Sequence, residues 1–515
     1  MNCVNPQIFR QYDIRVRAER DLTNEVAALL GWAFGYYVRE RGGHPCARTV
    51  PEVLVGRDNR LSSERLRDAF VAGLVSAGCR VVDIGLVVTP VLYYAEAVCR
   101  PGGAVMITAS HNPPEDNGFK LVCRGNALYG EEILRLKGIV EAGKFPTGPG
   151  EADEIKVGKA GGTETEEAGA TGMDGAGPRG SREVGTTSAE EEISGGAGEV
   201  LERDLATPYL NMLKEKIQLG PRRLTVALDC GNGSASLFAE KILESWGCWV
   251  IPLYCASDGR FPNHHPDPVK TANLADLRKA VVENGADLGV AYDGDADRLG
   301  VVDEKGRVIW GDILMCLFWR EILARCPGAP AIVEVKCSQA LVEEITRLGG
   351  RPFFYRTGHS LIKAKMKEVG APFTGEMSGH MFFADEYYGF DDAFYATGRL
   401  LRILSHTEKT LSQLLEDIPK YYSTAETRAP CADRDKFDVV ARLVEKFSRE
   451  YEVISVDGAR VLFGDGWGLV RASNTQPVLV ARCEAKTPEG LARICGIMKE
   501  ALRQCPEVGD FEWEY

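Results

Sequence analysis

Residues 103–114 have the sequence GAVMITASHNPP, in which a short apolar run is followed by small and polar residues. The run from Gly103 to Thr108 predicts a buried β-strand. The polar loop after it starts at the carboxyl end of that strand, where α/β sheets bind ligands. Ser110 is therefore a candidate nucleophile, although Ser, Asn and Pro are also common in plain turns. No G-x-S-x-G motif surrounds Ser110, so a serine hydrolase is disfavoured.

On both sides of this stretch, short apolar runs alternate with segments of helical spacing. Residues 51–56 predict a strand, and residues 62–79 predict a helix with Ser62 or Ser63 as its N-cap. Downstream, strands are predicted at 224–229, 286–292 and 331–335, and a helix at 339–348. Strands that alternate with helices of this length indicate α/β domains.

The pattern changes after about residue 425. Residues 457–469 and 478–484 are typical of hairpin strands, and residues 488–503 have helical spacing. We therefore expect a smaller α+β domain at the C-terminal end of an otherwise α/β chain.

One segment differs from the rest in composition. The chain has 515 residues, enough for three or four domains, but residues 148–198 hold 14 of its 56 glycines and no Leu, Phe, Tyr or Trp. Such a segment cannot bury enough apolar surface to offset its ordering entropy, so we predict a disordered insert at 146–200. It carries 12 acidic and 4 basic residues, which is −8 of the formal net charge of −13.

Composition also excludes several classes of protein. The net charge of −13 argues against a nucleic-acid binder. No apolar run approaches the length of a membrane span, and the N-terminal residues do not resemble a secretory signal. The 15 cysteines are scattered without a C-x-x-C pair, which indicates reduced thiols. We therefore expect a cytoplasmic protein that binds neither nucleic acid nor membranes.

A second polar loop, Asp293-Gly294-Asp295-Ala296-Asp297-Arg298, carries carboxylates at alternate positions. If the loop curls, these oxygens can converge on Mg²⁺ or Ca²⁺, which both prefer oxygen ligands. The main alternative is an EF-hand calcium site, but Arg298 occupies the position at which an EF-hand loop requires glycine. The flanking runs also predict strands, which favours a magnesium site shared with a phosphate group.

Two further loops contain groups that bind sugars and phosphates. Gly375-Glu376-Met377-Ser378-Gly379-His380 combines a carboxylate, a hydroxyl and an imidazole, a set suited to a polyol. Arg471-Ala472-Ser473-Asn474-Thr475-Gln476, with Arg482 on the next strand, suits a phosphate clamp. The remaining basic candidates are Arg15, Lys120, Lys336, His359 and Lys363. Together the loops indicate phosphoryl transfer, and the absence of a G-x-x-x-x-G-K-[ST] motif disfavours a nucleotide donor.

These four loops resemble, in order, the signature loops of the α-D-phosphohexomutases, most closely the bacterial phosphomannomutase/phosphoglucomutase type. The resemblance extends to Phe9-Arg10-Gln11-Tyr12-Asp13-Ile14-Arg15, Gly56-Arg57-Asp58 and residues 258–266. It implies three similar mixed-sheet α/β domains and a smaller C-terminal α+β domain around a central cleft. The implied boundaries are 1–145, 201–310, 311–424 and 425–515, with the insert at 146–200 between the first two.

The resemblance implies an intramolecular phosphotransferase that interconverts hexose 1-phosphates and hexose 6-phosphates of mannose, glucose or both. Ser110 would carry a phosphoryl group, and a 1,6-bisphosphate would be the intermediate. One Mg²⁺ per chain would be held by Ser110, Asp293, Asp295 and Asp297. Glucose 1,6-bisphosphate would serve as activator, hexose phosphates would be the partners, and the chain would be a monomer or weak dimer.

The resemblance also implies roles for individual residues. The implied catalytic residues are Ser110, Lys120, Arg15, His111 and His359. The implied substrate-binding residues are Tyr12, Arg298, Lys336, His359, Glu376, Ser378, His380, Arg471, Ser473, Asn474, Thr475 and Arg482. Alternatives that remain open are a phosphoglucosamine mutase, a serine phosphatase that hydrolyses its phosphoserine, and a sugar-phosphate-binding regulator without activity.

Overall fold

The computed structural model describes residues 4–11, 13–41, 50–142, 198–474 and 476–514. Two candidate site residues, Tyr12 and Thr475, lie outside the described residues, as does nearly all of the insert predicted at 146–200.

The first domain is a sheet with helices on both faces. Its elements are β1 (Ile14–Arg17), α1 (Ala18–Asp21), α2 (Asn24–Arg41), β2 (Glu52–Arg57), α3 (Ser63–Ser76), β3 (Arg80–Leu86), α4 (Thr89–Cys99), β4 (Gly103–Ile107), β5 (Asp116–Cys123), β6 (Asn126–Ala127), α5 (Glu131–Ala142) and β7 (Val200–Glu202). The strand order is β1-β5-β4-β2-β3-β7, with β6 beside β5. Because β7 pairs with β3, the predicted start of the second domain at residue 201 falls inside a strand of the first sheet.

The sequence around Ser110 forms the predicted strand, and burial explains its composition. All residues of β4 are buried, because the strand lies inside the sheet and helices cover both faces. Successive side chains point to opposite faces. Val105 and Ile107 therefore join the core under α2 and α3, whereas Ala104 and Met106 join a core that continues into the next two domains. Ser62 stands at the predicted N-cap of α3, but its hydroxyl accepts a hydrogen bond from Asn117 instead.

The second domain has a smaller mixed sheet. Its elements are α6 (Ala206–Lys216), β8 (Thr225–Asp229), α7 (Ala239–Ser245), β9 (Trp249–Leu253), α8 (Ala275–Asn284), β10 (Leu288–Tyr292), β11 (Leu299–Asp303) and β12 (Val308–Ile309). The order is β12-β11-β10-β8-β9, with β8, β9 and β10 parallel and β11 antiparallel to β10.

The third domain differs from the other α/β domains in its strands, which form two separate pairs, β13 with β14 and β15 with β16. Its elements are α9 (Gly311–Arg325), β13 (Pro330–Glu334), α10 (Gln339–Arg347), β14 (Arg351–Tyr355), α11 (His359–Val369), β15 (Phe373–Gly375), β16 (Met381–Phe383), α12 (Ala393–Ser405) and α13 (Leu411–Leu414).

The C-terminal domain is an antiparallel sheet packed against two helices, as its sequence pattern predicts. Its elements are β17 (Tyr422–Ser423), β18 (Thr427–Pro430), α14 (Lys436–Phe447), β19 (Glu452–Ile454), β20 (Ala459–Leu462), β21 (Gly466–Ala472), β22 (Val478–Ala485) and α15 (Pro488–Arg503). The predicted fold class, α/β domains followed by an α+β domain, is confirmed.

One hydrophobic core spans the first three domains, from Leu54 through Val290 to Phe394. The C-terminal domain has a core of its own. The loops of the first three domains are therefore anchored to one continuous packed interior, which resists relative displacement. Among the described residues, no helix combines the length and the apolar character needed to cross a bilayer.

Candidate active site

Each of the four candidate loops joins two strands that are antiparallel neighbours. The Ser110 loop joins β4 to β5, the aspartate loop joins β10 to β11, the Glu376 loop joins β15 to β16, and the Arg471 loop joins β21 to β22. The paired residues at the loop ends are Ile107 with Phe119, Tyr292 with Leu299, Gly375 with Met381, and Ala472 with Leu479. Because ladder hydrogen bonds fix both ends of each loop, its side chains are presented from a rigid base.

Ser110 lies in direct contact with the aspartate loop. It is buried and has a φ of 50°, a left-handed conformation that is unfavourable for a non-glycine residue. Its Oγ donates a hydrogen bond to Asp293 Oδ2 at 2.5 Å and lies 3.1 Å from His111 Nδ1. A Cβ on Gly294 would overlap the Ser110 carbonyl oxygen, so only glycine permits this approach of the two loops.

The aspartates of the second loop form one buried group. Asp293, Asp295 and Asp297 are each at most 1% exposed, and one oxygen from each lies within 4.8 Å of the others. Lys120 Nζ lies 2.7 Å from Asp295 Oδ2 and also pairs with Asp297. Asp295 Oδ1 has no hydrogen-bond partner among the described residues. A converging set of buried carboxylate oxygens, one of them unpartnered, fits a hard cation such as Mg²⁺.

The pKa values of this group follow from burial and from its charged neighbours. Burial raises the pKa of Asp293 well above its usual range, and the charges of Asp297 and Asp295 raise it further. Burial acts in the same direction on Asp297, but Lys120 and His380 hold its pKa well below the usual range. Burial lowers the pKa of Lys120, yet Asp295 and Asp297 raise it well above the usual value. Lys120 is therefore a cation in this arrangement.

The Glu376 loop lies against the aspartate loop. His380 Nδ1 lies 3.0 Å from Glu376 Oε2 and 3.1 Å from Ser378 Oγ, and its Nε2 lies 3.3 Å from Asp297 Oδ1. Burial lowers the pKa of His380, but Asp297 raises it to about 9. Arg298 lies 3.4 Å from both His380 Nε2 and His111 Nε2, which joins the Ser110, aspartate and Glu376 loops.

A second imidazole lies parallel to His380. The rings of His359 and His380 are stacked with centroids 5.6 Å apart. Burial and the nearby Lys363 hold the pKa of His359 well below its usual value. His111 has a lowered pKa for similar reasons, burial first and then Arg298 and Arg15. Both imidazoles are therefore neutral near pH 7 and can accept a proton.

The Arg471 loop is connected to the third domain through polar contacts. Asp457 Oδ2 accepts hydrogen bonds from Arg471 Nε at 2.8 Å and from the Thr357 amide at 3.1 Å. Ser473, buried, accepts a hydrogen bond from the Gln476 amide. Asn474 follows in the same loop.

Two of the predicted substrate-binding cations form contacts between the third and fourth domains. Lys336 Nζ lies 2.5 Å from Glu426 Oε1, and Arg482 donates to the Lys336 carbonyl. Arg482 is buried and also lies 3.5 Å from Asp312 Oδ2. Its guanidinium therefore supports the Lys336 segment. Arg15 lies beside the Ser110 loop, where its Nη1 donates to Asn112 Oδ1 at 3.2 Å.

Sequence reasoning missed two residues that contact this group. Thr89 donates from Oγ1 to Asp295 Oδ2 at 2.6 Å. Asp391 accepts from Lys363 Nζ at 2.8 Å, and its Oδ2 lies 3.6 Å from His359 Nδ1. Neither belongs to a signature loop. Thr89 begins α4 and Asp391 lies just before α12, so no local pattern marks them.

The four-domain fold is that of the α-D-phosphohexomutase superfamily. All four domain descriptions of one family match the chain: Phosphoglucomutase/phosphomannomutase alpha/beta/alpha domain I at residues 6–147, domain II at 207–306, domain III at 310–422, and the C-terminal domain at 426–501. The chain belongs to the phosphoglucomutase/phosphomannomutase family.

Similar proteins span nearly the whole chain. A phosphomannomutase/phosphoglucomutase of Pseudomonas aeruginosa is 41% identical over 497 residues, which cover 96% of this chain and 95% of the relative. A phosphoglucomutase of Neisseria gonorrhoeae is 37% identical and covers 99% of both. The crystal structure of a phosphoglucomutase/phosphomannomutase family protein from Burkholderia thailandensis is 36% identical with a TM-score of 0.81, over 99% of this chain and 100% of that one.

Proposed function

We propose that this enzyme interconverts hexose 1-phosphates and hexose 6-phosphates, with mannose and glucose phosphates as its substrates. The observation that carries the proposal is the contact between the Ser110 hydroxyl and Asp293, at 2.5 Å within a buried group of three carboxylates. A nucleophilic hydroxyl beside a cation site suits phosphoryl transfer through a covalent phosphoserine. The names of the relatives, phosphomannomutase and phosphoglucomutase, agree with it.

Ser110 carries the phosphoryl group between substrates. A hydroxyl oxygen of the hexose monophosphate forms a bond to phosphorus while the bond from phosphorus to Ser110 Oγ breaks, which yields a hexose 1,6-bisphosphate. The bisphosphate reorients, and Oγ takes the other phosphoryl group in the reverse step. The hydroxyl proton leaves to a neutral base, and His359 and His111 are the candidates because both imidazoles are neutral near pH 7 and lie in the site.

The carboxylates of the aspartate loop would hold the metal ion. Asp293, Asp295 and Asp297 could each offer one oxygen to it, and Ser110 or its phosphoryl group would be a further ligand. Mg²⁺, when bound, supplies positive charge to the oxygens of the transferring group. Lys120 adds a fixed positive charge at the same place, since it pairs with two of these carboxylates.

The third domain binds the sugar. Glu376 and Ser378 accept or donate hydrogen bonds to the C-3 and C-4 hydroxyls, which glucose and mannose share. Glu376 Oε1 accepts from the Gly358 amide at 2.8 Å, so the carboxylate is held in place before substrate arrives. Glucose and mannose differ at C-2, so a site that makes no contact with the C-2 hydroxyl accepts both sugars. His380 of this loop and Arg298 of the aspartate loop lie where the two loops meet, and there they contact the sugar or its phosphate.

The phosphate group that is not transferred binds at the fourth domain. Arg471 offers a guanidinium that is held by Asp457. Ser473 and Asn474, with Thr475 of the same loop, complete the clamp. Arg15 lies beside the Ser110 loop and acts near the transferring phosphoryl group, and Lys336 and Tyr12 contact the sugar or its phosphate. Glucose 1,6-bisphosphate acts as activator because it can restore a lost phosphoryl group on Ser110. We also propose that the chain is cytoplasmic and a monomer or weak dimer.

One assay distinguishes this function from its alternatives. Purified protein with Mg²⁺ receives glucose 1-phosphate, mannose 1-phosphate or glucosamine 1-phosphate, each with and without glucose 1,6-bisphosphate. Formation of the 6-phosphates of glucose and mannose is expected. Preference for glucosamine 1-phosphate would instead indicate a phosphoglucosamine mutase, release of inorganic phosphate a phosphatase, and binding without turnover a regulator.

A further inference from the structure

Arg60 is buried beneath the Ser110 loop, although it belongs to none of the four loops. Its side chain is 0% exposed. Its Nη2 donates to the carbonyl oxygens of Ser110 and Asn112, each at 2.7 Å. Its Nη1 donates to those of Pro113 and Asp116, at 2.5 and 3.0 Å. One guanidinium therefore binds four carbonyl groups of the segment 110–116.

The guanidinium is held from its other sides as well. Asp58 Oδ2 accepts from Arg60 Nε at 3.1 Å and supplies the opposite charge. The Phe261 ring of the second domain lies 5.1 Å from the guanidinium carbon. Asn59, the neighbouring residue, donates to the Asn232 carbonyl of the second domain at 2.7 Å. Arg60 is thus fixed at the junction between the domains that carry Ser110 and the aspartates.

The loop needs such a partner for two physical reasons. Several carbonyl groups that converge inside the protein lose water and must be satisfied by a donor. A guanidinium offers five N–H groups in a rigid fork, which an ammonium does not. In addition, Ser110 is in the left-handed region at φ 50°, a conformation that persists only when its surroundings enforce it.

We propose that Arg60 is a positioning residue for phosphoryl transfer, which presets the Ser110 loop so that Oγ faces the aspartates. Arg60 holds the Ser110 carbonyl, while Asp293 holds its hydroxyl. Arg60 does not bond to Oγ, so it acts through the backbone. This inference rests on the proposed function, because it assigns Arg60 to the Ser110 step of that reaction.

The test compares Arg60→Lys and Arg60→Met with the wild-type enzyme. Four quantities are measured: kcat and KM for glucose 1-phosphate, the rate of Ser110 phosphorylation by glucose 1,6-bisphosphate from intact mass, and the melting temperature. Displacement of a reacting group by about 1 Å can cost roughly a hundredfold in rate. We therefore expect Arg60→Lys to lower kcat and the phosphorylation rate at least tenfold. KM should change less than about threefold, because sugar and distal phosphate bind to other domains.

Arg65→Lys is the matched control. Arg65 lies five residues later in the chain, on α3, and also donates to backbone carbonyls, those of Leu22 and Ala18, away from the Ser110 loop. We expect it to keep the wild-type phosphorylation rate. A folded Arg60→Lys enzyme that phosphorylates Ser110 at the wild-type rate would overturn the proposal, as would an equal loss in Arg65→Lys.

If neither Arg60 variant folds, Asp58→Asn tests the same idea. It leaves the guanidinium in place but removes the charge that fixes its Nε. A reduced phosphorylation rate with unchanged KM supports the proposal, and an unchanged rate contradicts it. Failure of the proposed function is distinguishable, since the wild-type enzyme would then form no hexose 6-phosphate.

Discussion

The Ser110 Oγ atom lies 2.5 Å from Asp293 Oδ2, although 183 residues separate the two in the sequence. The contact joins the proposed nucleophile of the first domain to the carboxylate group of the second. It makes the relative position of these domains part of the chemistry, because the two halves of the site lie on different sheets.

Ser110→Ala should abolish turnover, because the reaction loses its covalent carrier. We expect kcat to fall by roughly a thousandfold or more, with the melting temperature nearly unchanged. The variant should also take up no mass increment from glucose 1,6-bisphosphate. Ser76→Ala is the control. Ser76 is the last residue of α3, and this variant should keep wild-type activity. Phosphorylation of the Ser110→Ala protein at another residue would contradict the assignment.

Metal removal should stop the reaction, and the ligands should set the Mg²⁺ requirement. Loss of a hydrogen bond that supports a metal ligand weakens metal binding roughly tenfold. Asp295→Asn removes a proposed ligand itself, so it should raise the Mg²⁺ concentration for half-maximal activity by more than that. Thr89→Val removes that supporting bond to Asp295 and should show the smaller effect. Calorimetric titration with Mg²⁺ measures both directly.

The control for metal binding is Asp438→Asn, on the exposed face of the first turn of α14. It should not alter the Mg²⁺ requirement. Equal Mg²⁺ affinity in wild type and Asp295→Asn would remove Asp295 from the ligand set.

Asp392 should make stability depend on pH in a direction opposite to that of most carboxylates. Burial raises its pKa from 3.8 to about 6, although the Tyr387 and Tyr209 hydroxyls donate to it. Because the folded pKa lies above the unfolded one, the favourable contribution is present below pH 3.8 and is lost as pH rises towards 6. The contribution of Asp392 to the free energy of unfolding changes by about 3 kcal/mol over this range, because its pKa is shifted by about two pKa units.

Asp392→Asn stays neutral and can keep the N-cap bond to the Tyr395 amide. We expect its melting temperature to rise relative to wild type between pH 4 and pH 6.5. Asp204→Asn is the control of opposite sign, since hydrogen bonds from Thr207 lower the pKa of the exposed Asp204. Ionised Asp204 stabilises the folded protein at pH values above its unfolded pKa, and this stabilisation is lost as the pH falls. A pH-independent difference between wild type and Asp392→Asn would contradict the prediction.

Replacement of residues 148–198 by about ten Gly and Ser residues should leave folding and activity largely intact. The segment lacks Leu, Phe, Tyr and Trp, and all four signature loops lie outside it. We expect kcat within about twofold of the wild type, as for a surface insertion. A large loss of turnover at an unchanged melting temperature would show that the insert contributes to catalysis.

Local sequence was sufficient for some of the elements that carry the loops and for others in the chain. The helix predicted at 488–503 is α15 within the same bounds, because Pro488 follows the capping residue Thr487 and the apolar spacing is regular. The strand before Ser110 is likewise present as β4. In contrast, β7 could not be predicted to pair with β3, since only two of its residues carry apolar side chains and its partner lies more than a hundred residues earlier.

The sequence by itself determined the candidate chemical groups of this enzyme: the Ser110 hydroxyl, alternating carboxylates, and two further loops proposed to bind sugar and phosphate. Only the tertiary structure decided which atoms meet. Lys120 pairs with Asp295 and Asp297, Thr89 supports Asp295, and Arg60 binds the carbonyls beneath Ser110. The reason is physical, since strand and loop patterns depend on neighbours in the chain, whereas these contacts depend on how the domains pack around a shared core.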